Sequence, residues 1–190
     1  ARSGLVLMGD GTTAPGWLDG MDSGATFERE VMRHLDAAYN LARWLARNDQ
    51  DAEDVVQEAL LRAFRFFGGF RGGDARVWLL AIVRNTFYTQ RSQVPAASRA
   101  DEFNEAIHGG ADHDDPQAML LRAADAQTLH AALERLPPEF REVLVLRELE
   151  ECSYKEIASI TNLKIGTVMS RLARARERLQ RELTRKEVAA

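Results

Sequence analysis

The sequence predicts an all-α protein of two small helical domains joined by a flexible acidic linker, and three observations support this fold class. Apolar residues recur every three or four positions on either side of a central stretch that lacks such a period. That stretch is acidic, because residues 96–129 contain seven acidic and two basic residues. Residues 164–186 contain eight basic and two acidic residues, which suggests a surface for a polyanion. The predicted units are a flexible leader at 1–24, a front domain at 25–94, the linker at 95–117 and a rear domain at 118–188.

Composition excludes several classes of protein. The 190-residue chain has a net charge of −4, and it has no run near the roughly 18 apolar residues of a membrane span. We therefore expect no membrane insertion and a cytoplasmic location. The single cysteine, Cys152, excludes an internal disulfide, and the four histidines have no zinc-like spacing with it, so we expect no metal and no cofactor. The absence of G-x-S-x-G, Walker A and H-E-x-x-H motifs predicts no catalytic residue and no enzyme activity.

The front domain is predicted to contain three helices. No structure is assigned to the Gly-rich leader, and the first helix is expected from Phe27 to about Arg47. In "DAEDVVQEALLRAFRFF", Asp51 occupies the expected N-cap of the second helix, which paired glycines end. "GGFRGGDAR" predicts a loop, and the third helix follows from Val77 to about Arg91. One face of this third helix carries Trp78, Ile82, Asn85 and Thr89.

The linker and the start of the rear domain follow. "PAASRADEFNEAIHGGADHDDP" mixes small, acidic and turn residues and predicts a linker, in which "DHDD" is interpreted as solvated charge rather than a metal site. A helix is expected from Met119 to Leu136, and "PEFREVLVLRELE" starts another with proline in its first turn. Ser153 and Glu156 have the spacing of a capping box, for a short helix that ends near Asn162.

The C-terminal pattern is that of a helix-turn-helix, in which "SYKEIASIT" is followed by a tight connection and a long helix from Thr167. The apolar face of the long helix consists of Val168, Leu172, Ala175, Leu179 and Leu183. Its other positions include Ser170, Arg171, Arg174, Arg178 and Arg181. Guanine acceptors suit arginine, thymine methyls suit a small apolar side chain, and phosphates attract the remaining cations. This helix is therefore predicted to enter the major groove of DNA.

Other interpretations of these patterns are possible. An arginine-rich helix by itself is more typical of a solvated face, but here the helix-turn-helix spacing, the capping box and the segregated charge together favour DNA binding. One alternative function is a stand-alone transcription regulator, whose N-terminal half would be a sensor domain with a ligand pocket or a phosphorylation site. Another is an enzyme acting on nucleic acid, against which the missing catalytic motifs argue.

Both domains resemble those of extracytoplasmic-function (ECF) sigma factors, a group of the sigma-70 family. "LPPEFREVLVLRELEECSYKEIASITNLKIGTVMSRLARARERL" resembles region 4 of that group. "DAEDVVQEALLRAFRFF" and "RVWLLAIVRNTFYTQRSQ" resemble regions 2.1 to 2.2 and 2.3 to 2.4, in the expected order. Together the matches cover most of residues 25–186. The family often has glycine where Asn162 stands, and asparagine tolerates the left-handed conformation, so we expect the turn to be kept.

The resemblance implies a specificity subunit that binds the clamp and the flap of core RNA polymerase, directs the enzyme to promoter DNA and assists initiation without covalent catalysis. It also implies an anti-sigma factor that holds the protein inactive, wedged between the two domains. The matched core-binding residues are Asp51, Asp54, Gln57 and Glu58. For Asp51, the preference for negative charge at the N-terminus of a helix is about as good an explanation as core binding.

The resemblance also implies two sets of promoter contacts. The front domain interleaves cations with aromatic rings, a mixture that suits single-stranded DNA, although Trp78 is interpreted as a core residue. The residues expected at the minus-ten element are Phe70, Arg71, Asp74, Arg76, Arg84, Asn85, Tyr88 and Arg91. Those expected at the minus-thirty-five element are Lys155, Lys164, Thr167, Met169, Ser170, Arg171, Ala173 and Arg174. Because the chain is acidic overall, we expect the free protein to bind duplex DNA weakly.

Overall fold

The fold consists of two packed helical units, seen in a computed structural model that describes residues 16–93 and 116–187, with side chains at 24–93 and 126–184. The α-helices are α1 (Gly16–Val31), α2 (Leu35–Ala46), α3 (Asp49–Phe66), α4 (Ala75–Gln93), α5 (Pro116–Arg135), α6 (Pro138–Leu144), α7 (Tyr154–Thr161) and α8 (Ile165–Glu187). These described ranges contain no β-strand, which confirms the all-α prediction. Residues 1–15 of the expected leader and 95–115 of the expected linker lie outside them.

The front unit is built by α2, α3 and α4, which pack against one another around an apolar core. The buried residues of α2 and α3 lie at a spacing of three and four, as the apolar period predicts, although Phe66 at the end of α3 is exposed. They include Ala38, Leu41, Leu45, Val55, Val56 and Ala59. α1 begins at Gly16, inside the segment expected as an unstructured leader, and its Phe27 ring contacts the rings of Phe64 and Phe67 edge-on at 5.2 Å.

The buried face of α4 differs from the face singled out in the sequence. Leu79, Val83 and Phe87 are buried, whereas Asn85 and Thr89 of the singled-out face are exposed. α4 contacts α2 and α3 in its own unit and α7 in the other unit, so apolar residues surround much of its circumference. An apolar period identifies a single buried face poorly when a helix has neighbours on several sides.

Two helices that were expected to be continuous are interrupted. A 3-10 helix at Met32–His34 separates α1 from α2 within the single helix predicted from Phe27 to about Arg47. A π-helix at Val145–Leu149 follows α6 inside "PEFREVLVLRELE". The apolar residues keep their spacing through both segments, so the period does not reveal the change of hydrogen bonding. Only the backbone shows it, as at His34 (φ −104°, ψ 13°).

The N-cap of α3 is Asn48, so the prediction of Asp51 at this position was wrong. The Asn48 Oδ1 atom accepts a hydrogen bond from the Asp51 backbone N–H at 2.8 Å, and the Asn48 Nδ2 group donates to the Asp51 carboxylate at 2.9 Å. Asp51 is therefore the third residue of the helix, and it exchanges two hydrogen bonds with the N-cap residue Asn48. Both residue types favour N-caps, and only the extended backbone of Asn48 (φ −144°, ψ 159°) shows which residue precedes the helix.

The rear unit contains the predicted helix-turn-helix. Its capping box is confirmed, because the Ser153 hydroxyl accepts from the Glu156 N–H at 3.2 Å and the Glu156 carboxylate accepts from the Ser153 N–H at 2.6 Å. Asn162 follows α7 in the left-handed conformation (φ 54°, ψ 42°), as the turn requires. α8 buries Val168 and Leu172 on the face that the sequence predicted.

The two units contact each other directly. α4 packs against α7, and α2 packs against α6. The Trp44 ring of α2 lies against the His130 ring of α5, with 4.7 Å between their centroids. The Cys152 thiol is buried at the same junction, 3.9 Å from Nη1 of Arg76. The junction between the units is therefore partly apolar and partly polar.

The Ser153 cap offers a test of the helix-turn-helix. Replacement of Ser153 by Ala removes the acceptor for the Glu156 N–H, and we expect the free energy of unfolding to fall by about 1 kcal/mol. Ser159→Ala is the matched control, because Ser159 is exposed on the same helix and does not cap it. Urea unfolding followed by circular dichroism measures both values, and equal values for the two variants would contradict the capping role.

Candidate nucleic-acid interface

The outer surface of α8 presents most of the residues predicted for duplex DNA. Thr167, Ser170, Ala173 and Arg174 are exposed, and Met169 is 52% exposed. Lys155 of α7 and Lys164 before α8 are exposed beside them. No described residue forms an ion pair with Arg174. A row of short polar and apolar side chains with a free guanidinium has the dimensions and the chemistry of a helix that reads base edges.

Arg171 is the exception on α8. Its Nη1 group contacts the Glu142 carboxylate of α6 at 3.3 Å, and its side chain is 24% exposed. The Glu142 side chain is completely buried. Arg171 is therefore held against α6, while its neighbour Arg174 remains in solvent.

The residues of α4 predicted for the minus-ten element divide into two groups. Arg84 and Tyr88 turn toward the rear unit, where Arg84 Nε donates to Glu142 at 3.0 Å and the Tyr88 hydroxyl donates to the same carboxylate at 3.0 Å. Arg76 also faces the rear unit and binds Glu150. Asn85 and Arg91 are exposed.

The pKa values of the buried Glu142 carboxylate and of its neighbour Tyr88 are both shifted. Burial raises the pKa of Glu142, although Arg84, Tyr88 and Arg171 all act to lower it. Burial, followed by the negative charge of Glu142, raises the pKa of Tyr88 well above its ordinary value. The Tyr88 hydroxyl therefore keeps its proton at neutral pH and serves as a donor.

The loop between α3 and α4 forms the edge of an open cavity. Gly72 (φ 84°) and Gly73 (φ 105°) adopt the left-handed region that glycine permits, so the chain can turn sharply here. The Phe70 ring packs on Trp78 with 5.0 Å between centroids, and Arg71 is exposed. Asp74 accepts hydrogen bonds from the first backbone N–H groups of α4, which gives it a structural role as a helix cap.

This cavity has a volume of about 980 Å³ and lies between the loop and α7. The front unit contributes Phe70, Arg71 and Trp78, while the rear unit contributes Ser153 and Lys155. Trp78 is half-buried and packs against the apolar core, in agreement with its interpretation as a core residue. The cavity thus combines apolar groups of the front unit with charged groups of both signs from both units, since Asp74 and Glu156 line it as well.

A third surface lies on the outer face of α3. Asp51, Asp54 and Gln57 are exposed, and Glu58 pairs with Arg62 at 2.6 Å. Leu61 continues the same helical face and is 63% exposed. Sequence reasoning missed Leu61, although its spacing from Asp54 and Gln57 by seven and four positions could have identified it. Protein contacts have an apolar centre and a polar rim, and Leu61 among its polar neighbours fits that arrangement.

Neither a metal site nor a membrane span is present in the described part of the chain. The described residues contain no group of three or more His, Cys, Asp or Glu side chains that could hold a metal ion. Among the same residues, no helix is both long and apolar enough to cross a membrane.

Comparisons with known proteins agree on one family. The family model for sigma-70 region 2 matches residues 31–93, and the model for sigma-70 region 4 matches residues 126–179. The RNA polymerase sigma-H factor of Pseudomonas aeruginosa is 34% identical over 165 residues, which cover 83% of this chain and 86% of that protein. The ECF RNA polymerase sigma-E factor of Escherichia coli K12 is 36% identical over 141 residues, covering 70% of this chain and 74% of that protein.

A solved structure gives the same result. The sigma factor RpoE of Bartonella quintana, crystallised in complex with the anti-sigma factor NepR, is 33% identical, with a TM-score of 0.64. The similarity covers 84% of this chain and 97% of the solved chain.

The environment of Cys152 generates a prediction about its reactivity. Burial raises the pKa of this thiol from its usual 9.0 to about 11, so its thiolate fraction at pH 8 falls roughly 100-fold. We expect iodoacetamide to alkylate the folded protein at least that much more slowly than the protein unfolded in urea. Because the chain has one cysteine, mass spectrometry of the intact protein measures the rate directly, and similar rates in both states would contradict the buried position.

Proposed function

This chain belongs to the ECF group of the sigma-70 family, and from that membership we propose that it is a specificity subunit that directs core RNA polymerase to promoters. The observation that carries the proposal is the presence of both family regions in one chain, together with a helix-turn-helix whose outer surface is exposed. The subunit initiates transcription and performs no covalent chemistry of its own. Because it works with core polymerase, its place of action is the cytoplasm.

Region 4 reads the minus-thirty-five element in this proposal. Arg174 has a free guanidinium suited to the two acceptors of guanine, and Met169 and Ala173 offer apolar contact to thymine methyls. Lys155 and Lys164 flank the helix and meet phosphates. Arg171 joins them only when it is released from Glu142.

Region 2 binds the minus-ten element as a single strand. Arg71 is an exposed cation beside the Phe70 and Trp78 rings, and Arg91 is an exposed cation in the last turn of α4. A strand can follow these cations while an unstacked base enters the cavity beside Phe70. Asn85 is exposed and can read a base edge. Arg76, Arg84 and Tyr88 complete this surface when the rear unit moves away.

The outer face of α3 binds the polymerase clamp. Asp54 and Gln57 offer a carboxylate and an amide to cationic and polar groups of the partner, and Leu61 supplies apolar area next to them on the same face. The Asp51 carboxylate is bound by the side chain of Asn48, the N-cap of α3, so we assign Asp51 a smaller share of the binding. The proposal also includes an anti-sigma factor, because the Bartonella relative was crystallised with one, and the cavity between loop and α7 is its suggested place of contact.

Transcription with purified components tests the proposal against a stand-alone regulator. Core RNA polymerase, the chain and a library of promoter fragments are combined, and the transcripts are sequenced from their 5′ ends. Defined start sites that require both the chain and core polymerase support the sigma function. Tight sequence-specific binding of the free chain, with no core-dependent transcripts, would instead support the stand-alone regulator.

Arg174 is expected to contribute strongly to promoter recognition. Loss of a bidentate contact with a base is worth about 1–3 kcal/mol, so Arg174→Ala should weaken promoter binding by the holoenzyme about tenfold or more. Arg181→Ala is the matched control on the same helix, since it removes the same charge from a residue that pairs with Glu177. Filter binding of holoenzyme to a selected promoter measures both affinities. A comparable loss of affinity in the two variants would show that Arg174 contributes only through its positive charge and not through a specific base contact.

Leu61 is expected to contribute to the binding of core polymerase. Loss of a central apolar contact should raise the dissociation constant of the sigma–core complex about tenfold or more in Leu61→Ala. Phe66→Ala is the control, because Phe66 lies on the same helix, off this face, and is also 63% exposed. Fluorescence anisotropy of the labelled chain titrated with core polymerase gives both constants, and equal constants would remove Leu61 from the interface.

A further inference from the structure

Side chains assigned to promoter DNA in the proposed function are bound, in this structure, by two buried carboxylates of region 4. We propose that Glu142 and Glu150 form an intramolecular latch, which occupies the DNA-binding surface of α4 and holds the free chain closed. The inference rests on the proposed function and adds a mode of regulation to the same surface. The partner that covers the region 2 surface is thus the chain's own region 4.

Glu142 is the first half of the latch. One carboxylate oxygen accepts from Arg84 Nε at 3.0 Å and from the Tyr88 hydroxyl at 3.0 Å, and the other lies 3.3 Å from Arg171 Nη1. Arg84 and Tyr88 belong to region 2, whereas Arg171 belongs to the helix proposed to enter the major groove. One carboxylate therefore engages residues from both proposed promoter-binding surfaces.

Glu150 is the second half. Its carboxylate accepts from Arg76 Nη2 at 2.6 Å and from Asn40 Nδ2 at 2.5 Å, and its backbone carbonyl accepts from the same Arg76 group at 2.7 Å. The Glu150 side chain is 7% exposed. All these donors belong to the front unit, so the Glu150 side chain connects the two units, while its backbone N–H donates to the Val145 carbonyl of its own unit at 3.0 Å.

The two carboxylates bind the same guanidinium groups that the proposed function assigns to DNA. Carboxylate and phosphate oxygens are bound by guanidinium groups in the same way, so Arg76 and Arg84 cannot serve Glu150, Glu142 and a DNA strand together. Because the ion pairs are shielded from solvent, they are screened less by salt than surface pairs. DNA and region 4 must therefore compete for the same arginines.

The closed junction also contains a group that opposes closure. Arg141 of α6 is 1% exposed, and its Nε and Nη1 atoms find no hydrogen-bond partner among the described residues. Burial, together with the positive charges of Arg47 and Arg91 from the front unit, lowers its pKa to about 10. Separation of the units would return this guanidinium to water. The buried Arg141 guanidinium therefore disfavours the closed state, so a competing partner can open the latch.

A substitution at Asn40 separates the latch from a simple effect of charge. Asn40→Asp places a second carboxylate beside that of Glu150, so the two repel each other and the units should separate. The added negative charge by itself would weaken DNA binding. If the latch exists, Asn40→Asp instead binds a fluorescent 20-nucleotide oligo(dT) about two- to fivefold more tightly than wild type, a change of the size expected for ion pairs. Weaker binding, as charge alone predicts, would overturn the inference.

A charge reversal provides the second variant and its control. Glu150→Lys turns the contact with Arg76 into a repulsion, whereas Glu148→Lys makes the same change of net charge at a pair with Arg176 that is exposed and lies within the rear unit. Circular dichroism establishes that each variant is folded. The latch predicts a larger radius of gyration by small-angle X-ray scattering, and faster alkylation of Cys152, for Glu150→Lys alone. Equal values in the two variants would contradict it.

The experiments distinguish a failure of the latch from a failure of the proposed sigma function. Core-dependent transcription is measured with the same variants, and neither Asn40 nor Glu148 belongs to the surfaces assigned to DNA or polymerase. If transcription occurs but oligo(dT) binding and the radius of gyration do not respond to Asn40→Asp, the latch is wrong and the sigma function stands. If the variants open and no core-dependent transcript forms, the sigma function is wrong while the intramolecular contact is correct.

Discussion

A carboxylate that is completely removed from water must find compensating donors, and the Glu142 carboxylate finds them on two other helices. Its own helix, α6, lies between α8 and the front unit. Arg171 reaches it from α8, while Arg84 and Tyr88 reach it from α4. The arrangement of the two units depends on this interaction, because loss of either set of donors would leave a buried charge partly uncompensated.

The same constraint sorts the cations of the proposed promoter surfaces. Arg174 and Arg71 are exposed and belong to surfaces that are accessible in the closed chain. Arg76, Arg84 and Arg171 are held by carboxylates. In the proposed function, the accessible arginines make the first contacts with DNA, and the occupied arginines become available only when polymerase or DNA replaces their contacts with region 4. A specificity subunit that works only within a holoenzyme benefits from such a division, because its full DNA affinity then depends on the partner that separates the units.

Local sequence signals predicted much of the fold. The capping box at Ser153, the left-handed turn at Asn162 and the buried face of α8 each depend on residues a few positions apart, and each is confirmed. One error arose because two residues, Asn48 and Asp51, are equally good N-caps for the start of α3. Another arose because the backbone changes its hydrogen bonding at Met32–His34 without changing the apolar spacing. The spacing of Leu61 from Gln57 places it on the same helical face, but only the tertiary structure shows that it is exposed.

The sequence alone determined the helical class, the two units, the helix-turn-helix and the family, since all of these depend on periodicity, caps and motifs encoded over short distances. Only the tertiary structure decided which arginines are free and which are occupied. Arg84 and Glu142 are 58 positions apart, and Arg76 and Glu150 are 74 apart. Contacts at such separations leave no local period, and whether an arginine pairs with DNA or with its own chain depends on which surfaces the fold brings together.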